Sequence, residues 1–272
     1  MTDTDLLTSL TADLKEHTPD LEILYKDESK FMRLLGFLMG PINPTFMTMF
    51  VTTIGTKVYF PSREYVAAHP IESTAVMAHE FVHMLDESKE GALKYKHAYL
   101  APQVYFVPAL LVYSIFVNFI PGLVFLAGYA ASCLAARANK YVGWAALATT
   151  IGSAFLSAWL FSGWAALGLL GATLLPLAPL PSPGRTRLEL RGYAMSIAVY
   201  RWLTGKDYST GGLNRMRSFF NGPAYYFMSW SPSKIADSLA DAEYATRSGK
   251  IAKEMPYSVV YTSLKKHGRL VD

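Results

Sequence analysis

His79, Glu80 and His83 stand in the order His-Glu-Phe-Val-His. On an α-helix, residues four apart share a face, so both imidazoles can present a nitrogen to one divalent ion. The glutamate after the first histidine sits beside such an ion rather than on it. There it can take a proton from an attacking water and hand it to a leaving amine. The chemistry these residues offer is metal-assisted hydrolysis, with Zn²⁺ as the ion.

A hydrolytic zinc needs a third protein ligand and an open position. Metzincins place a histidine or aspartate six residues after the second histidine; here that residue is Lys89, preceded by Ser88, and the class is excluded. The third ligand must then come from a second helix. Glu189 is the candidate, in the run Arg187-Leu188-Glu189-Leu190-Arg191-Gly192-Tyr193-Ala194. It is read as opening a helix beyond a long apolar stretch, and the small Gly192 lets that helix approach the histidines closely. Glu87 and Glu90 are rivals, but a helix rarely bends back to supply a third ligand from its own end. The plain alternative is a solvated Glu189 paired with Arg185 or Arg187. For the developing oxyanion, Tyr193, one turn from Glu189, and Tyr225 and Tyr226, after an Asn221-Gly222-Pro223 turn, are candidate donors. With 17 tyrosines in the chain, packing is the commoner role.

Thr74 to about Ser88 reads as the histidine-bearing helix, ended by Gly91. Phe46 to Phe60 is rich in Thr, Val, Phe and Tyr around Gly55, the pattern of a short hairpin or strand pair. Residues 1–39 read as helical, with Leu6, Leu7, Leu10 and Leu14 and later Phe31, Leu34, Leu35 and Leu38 at helical spacing. The apolar stretch from Phe31 to Gly55 contains Arg33 and is broken by prolines, so it reads as core or interface-lying structure. Thr186–Thr204, ended by Gly205, and residues 234–248 read as further helices.

Composition supplies the setting. The 272 residues are 51% hydrophobic and only 17% charged, against the roughly 25% charge of a soluble domain. Disorder is excluded, and a single cysteine, Cys133, excludes a disulfide scaffold. A net charge of +4, dispersed along the chain, gives no nucleic-acid footprint. The N-terminus, Met1-Thr2-Asp3-Thr4-Asp5, is acidic where a cleavable signal would be basic.

No charged residue occurs from Ala98 to Ala136 or from Tyr141 to Gly184. These runs of about 39 and about 44 residues exceed the roughly 20 that one bilayer crossing needs. Pro121-Gly122 and Ser162-Gly163 are possible breaks, giving two to four spans. Ala127, Ala131 and Ala135, four apart, offer a face for close helix packing. Lys89, Lys94 and Lys96 before the apolar region and Arg185, Arg187 and Arg191 after it place both flanks on the cytoplasmic face. An even number of crossings returns Glu189 to the side of His79 and His83, as a shared ion requires.

With these residues in place, the chain resembles the integral-membrane zinc endopeptidases of the HtpX and CAAX-prenyl-protease type, within the gluzincins. The resemblance rests on His-Glu-x-x-His on a helix after a short sheet, on the apolar segments, and on a glutamate from a later helix. It implies His79, His83 and Glu189 as ligands and Glu80 as general base. That family follows its ligand glutamate with Ala-Asp at the third and fourth positions, where this chain has Gly192 and Tyr193. The small residue is matched and the aspartate is not, which leaves Asp86 or Glu87 to orient a histidine.

The resulting expectation is a mainly α membrane protein with a small β-sheet. A zincin-like catalytic domain is split into residues 1–97 and 185–272 by a transmembrane helical insertion, residues 98–184. Its activity would be hydrolysis of peptide bonds in a polypeptide substrate by zinc-activated water, with the bilayer as its other partner. The alternatives are a non-catalytic membrane assembly protein with structural or absent zinc, and a zinc hydrolase acting on a lipid or small amide.

Overall fold

The structure is a computed structural model that describes residues 3–41, 43–116, 119–175, 180–222 and 227–271. In chain order its elements are α1 (Asp3–Leu14), β1 (Glu22–Tyr25), α2 (Lys30–Met39), β2 (Thr52–Ile54), β3 (Lys57–Phe60), α3 (Arg63–Ala68), α4 (Pro70–Glu90) and α5 (Ala92–Leu100). There follow α6 (Phe106–Phe116), α7 (Phe119–Ala138), α8 (Lys140–Leu174), α9 (Pro183–Thr204), α10 (Thr210–Asn221), α11 (Pro232–Arg247) and α12 (Tyr257–Lys266). The chain is mainly helical with one small sheet. It divides into two units, one of Met1–Tyr25, Val51–Leu100 and Pro181–Asp272, the other of Lys26–Phe50 and Ala101–Leu180. Residues 26–50, which the sequence reading kept with the first unit, therefore group with the apolar helices.

In the first unit the sheet runs β1-β3-β2, with β1 parallel and β2 antiparallel to β3. The expected hairpin is β2 and β3. The strand β1 replaces part of the helix read over residues 1–39. Pro19 interrupts that helical pattern, and Glu22-Ile23-Leu24-Tyr25 takes its hydrogen bonds from β3, far along the chain. Val58 and Phe60 are fully buried beneath the sheet. They pack with Leu6, Leu7, Leu10 and Leu14 of α1, with Met77, Ala78, Phe81 and Val82 of α4, and with Met195, Ala198 and Val199 of α9. Burying each large apolar side chain contributes about 1.5–3 kcal/mol, so this shared core holds α4 and α9 side by side. Both helices begin with a proline in the first turn, where the missing N–H is not needed. A second cluster, Ile197, Met216, Phe220, Met228, Ile235 and Leu239, packs α10 and α11 against α9.

In the second unit α7 and α8 pack along their length. Gly128 lies against Thr150 and Gly143 against Ala136, so closely that a Cβ on either glycine would overlap its neighbour. Ser132 and Cys133 are fully buried, whereas Ala127 and Ala131 face outward. The close-packing face is thus turned by one residue from the Ala127/Ala131/Ala135 row. Pro121-Gly122 does not separate two helices but sits in the first turn of α7. The second stretch breaks where Gly163 adopts φ 73°, ψ −170°. Among the described residues, two helical segments, Phe119–Ala138 and Lys140–Leu160, are by length and composition long and apolar enough to cross a membrane.

Candidate metal centre

Two helices and a turn build the site. His79 and His83 lie one turn apart on α4, and Glu189 lies on α9, two turns in from its start rather than at its opening. All three are buried. The two imidazole Nε2 atoms are 3.0 Å apart, and His79 Nε2 is 3.5 Å from Glu189 Oε2. The three potential ligand atoms lie within 4.8 Å of one another. An ion held tetrahedrally by nitrogen and oxygen at about 2.0–2.1 Å spaces its ligand atoms about 3.4 Å apart, so the 3.0 and 3.5 Å separations bracket that value. Glu189 Oε2 is buried without a hydrogen-bond donor. A buried carboxylate oxygen with no donor is costly unless a cation takes its charge. Two nitrogens and one oxygen also form a donor set that zinc accepts.

Gly192 makes this approach possible. A Cβ built there would lie 2.5 Å from His79 Nε2 and within 2.7 Å of two further atoms of the ring. Glu189, Gly192 and Ser196, at i, i+3 and i+7, form one stripe of α9 facing the histidines. Ser196 Oγ lies 3.4 Å from His79 Nδ1 and can donate onward to the Gly192 carbonyl. A proton on Nδ1 donated to Ser196 leaves Nε2 with a free lone pair, the tautomer a ligand needs.

Gly91 ends α4 with φ 86°, a conformation that favours glycine, and the chain turns into α5. That turn brings Tyr95 and Tyr99, stacked on each other, against the His83 ring. The Tyr99 hydroxyl donates to Glu189 Oε1, and the Arg185 guanidinium lies over the Tyr99 ring. One carboxylate oxygen of Glu189 is thereby committed to a protein donor and the other left toward the histidines. Tyr99→Phe is expected to weaken zinc binding about 10- to 100-fold, as loss of a supporting partner does, while far-UV circular dichroism stays unchanged. Chelator competition reads the affinity; an unchanged value would mean that Glu189 is held without Tyr99.

The charges fit the assignment. Burial opposes a proton on His79, but the Glu189 and Glu80 carboxylates outweigh it and raise its pKa. Burial, then the positive charge on His79, holds His83 down to about 3. Burial opposes the Glu189 charge, yet the His79 imidazole 3.5 Å away and the nearby cations hold its pKa at about 2. A proton on His79, beside the Glu189 carboxylate, is therefore what a metal ion at this site would displace. Glu80, between the histidines on α4, is half-buried and near enough to raise the pKa values of His79 and Tyr95.

The remaining candidates divide. Tyr193 packs its ring at right angles to His79, 4.9 Å between centroids, with Phe219 and Phe220 behind it. Asp86 accepts two bonds of 2.9 Å from Arg191, and Glu87 pairs with Lys96. Neither orients a histidine; Ser196 occupies that place at His79. Arg187 bonds Glu90 and not Glu189, whereas the charge of Arg185 reaches Glu189 and helps to hold its carboxylate ionised. Tyr225 and Tyr226 lie outside the described residues. Sequence reasoning missed Tyr95, Tyr99 and Ser196, although Ser196 carries a legible signal, two turns from Glu189 on the Gly192 face.

No protein-family model matches the chain, and neither does any curated protein or solved structure.

Proposed function

We propose that the protein is a membrane-embedded zinc metalloendopeptidase of gluzincin type. The observation that carries this reading is the convergence of His79, His83 and Glu189, three groups from two helices, beside the carboxylate of Glu80. Three protein ligands leave a tetrahedral ion one open position, the mark of a catalytic rather than a structural zinc. Zinc, when bound, supplies a Lewis acid that polarises a peptide carbonyl and acidifies an attacking water. Glu80 would take the proton of the attacking water and deliver it to the leaving amine. Ser196 holds the His79 tautomer, and Tyr99 holds Glu189.

The membrane setting is supported by the outward faces of the apolar helices. In each of the two helical segments long enough to cross, only 28% of the apolar window is buried, where the core helix of a soluble protein is mostly covered. Phe119, Leu123, Leu126 and Leu134 on α7 and Leu156, Trp159 and Leu160 on α8 are exposed. The catalytic unit draws on residues from both sides of this region, in keeping with a zincin-like domain split by an insertion. The basic residues flanking the insertion favour the cytoplasmic face for the site, and hence polypeptide substrates that reach the membrane from that side.

Elemental analysis of the detergent-purified full chain, incubated with zinc and then desalted, tests the reading. Wild type should retain one zinc per chain. His79→Ala should retain none, and Glu189→Ala a fraction, with helix content preserved in both. A folded wild type that retains no zinc, or a His79→Ala variant that retains as much as wild type, would overturn the assignment.

A further inference from the structure

The helix α2 carries Phe31, Leu34 and Leu38, spaced i, i+3 and i+7, and all three are exposed, by 56%, 58% and 42%. Lys30 and Arg33, also exposed, flank one edge of that stripe, while Met32 on the inner side is fully buried. Ser29 caps the helix by accepting from the Met32 N–H. Such a helix, apolar on an outer stripe and cationic beside it, has no protein partner for its outer face among the described residues.

Its place along α7 identifies what covers that face. The Leu38 carbonyl accepts from the Tyr129 hydroxyl at 2.6 Å, and Cys133 Sγ approaches the same oxygen. The Arg137 guanidinium lies over the Phe37 ring, and Gly40 stands beside Ala136. The C-terminal half of α2 is therefore fastened to the last turns of α7. At 1.5 Å per residue, Tyr129 to Arg137 covers about 12 Å of helix, less than half of a roughly 30 Å hydrocarbon core. This end of α7 closes on Arg137, and α8 opens on Lys140, Tyr141 and Trp144, the last two exposed by 64% and 46%. Cations with amphipathic rings at a helix end mark the level of the headgroups.

We propose that α2 is a monotopic amphipathic helix lying in the lipid headgroup region at the α7–α8 turn. It sets Phe31, Leu34 and Leu38 among the outer acyl chains and Lys30 and Arg33 against anionic headgroups. A helix of this kind buries its apolar face about 5–10 Å below the boundary and gains from anionic lipid. The inference rests on the membrane setting proposed above in its four-crossing form, which returns the α7–α8 turn to the face from which β1 and β2, the neighbours of α2 in the chain, are reached, and it adds a bilayer contact on a segment too short and too charged to cross.

The test places bimane at Leu34→Cys, and separately at Leu126→Cys on the outer face of α7, in a Cys133→Ala full chain. The protein is reconstituted in phosphatidylcholine–phosphatidylglycerol vesicles, and zinc retention serves as the folding control. A headgroup nitroxide lipid should quench the Leu34 probe at least about twofold more than a deep acyl nitroxide, and iodide should quench it little. The Leu126 probe should show the reverse depth preference. If iodide reaches Leu34 while Leu126 stays in lipid, the α2 proposal falls and the membrane setting stands. If iodide reaches both, the membrane setting falls with it. If Leu34 is shielded from iodide and from both nitroxides, and a bis-maleimide links it to itself between chains, a second copy covers the face and lipid occupancy is overturned.

Discussion

Gly192→Ala is expected to lower zinc affinity by at least about 100-fold, beyond the 10- to 100-fold typical of a lost supporting partner. The added methyl would stand 2.5–2.7 Å from three atoms of the His79 imidazole, where carbon atoms in contact need about 3.5 Å. Either the ring swings away or α9 backs off by about 1 Å, and metal–ligand distances tolerate only about 0.2 Å. The competing effect has the opposite sign. An alanine inside a helix is favoured over glycine by about 1 kcal/mol, so α9 taken alone would gain. Zinc affinity and thermal stability of the zinc-free chain should therefore move apart, the first falling sharply and the second changing little. Gly211→Ala on α10, whose Cβ would meet only Ser209 Oγ at 3.8 Å, is the matched control and should leave affinity unchanged. Chelator competition on both variants checks this; a Gly192→Ala chain with wild-type affinity would mean that the two helices do not meet at the ion.

The same glycine shows what can be read before a structure exists. The spacing of His79 and His83 fixes a shared face by helix geometry alone, and Glu189 with Gly192 and Ser196 writes a second face in the same way. These signals are local, and the structure brings their residues together. Helix ends marked by proline and glycine, and the Leu6 to Leu14 stripe, are legible for the same reason. Tyr99 is not: α5 has no clean apolar periodicity, and its contact with Glu189 joins residues 90 positions apart. The strand β1 is hidden likewise, since four residues become a strand only when β3 supplies their partners. In the apolar stretches the alphabet is too uniform for a face to stand out. Gly128 and Ala136 pack against α8, while Ala127 and Ala131 are exposed. Charge pairing is the last gap. Asp86 and Glu87 look available beside the histidines, and only the positions of Arg191 and Lys96 show them already committed.

Glu80→Gln separates an enzyme from a zinc-bearing membrane protein that cleaves nothing. The amide keeps the shape of the side chain and removes its capacity to accept a proton at neutral pH. With unfolded polypeptide offered to the zinc-loaded chain in vesicles, turnover should fall about 10²- to 10⁴-fold, the usual contribution of a positioned acid–base group. Zinc stoichiometry should stay at one per chain, because Glu80 is not among the proposed ligands His79, His83 and Glu189. A second readout does not depend on turnover. Glu80 helps to raise the pKa of His79, so removing its charge lowers that pKa, and fewer protons then compete for Nε2 as the pH falls. In the zinc-free chain His79 should accordingly titrate at lower pH in Glu80→Gln than in wild type, a shift that the NMR signals of its ring protons read. Cleavage that continues undiminished in Glu80→Gln would remove Glu80 from the mechanism. A folded, zinc-loaded wild type that cleaves none of a broad set of unfolded and membrane-bound polypeptides would make the centre a structural one, with α4 and α9 as the elements the ion ties together.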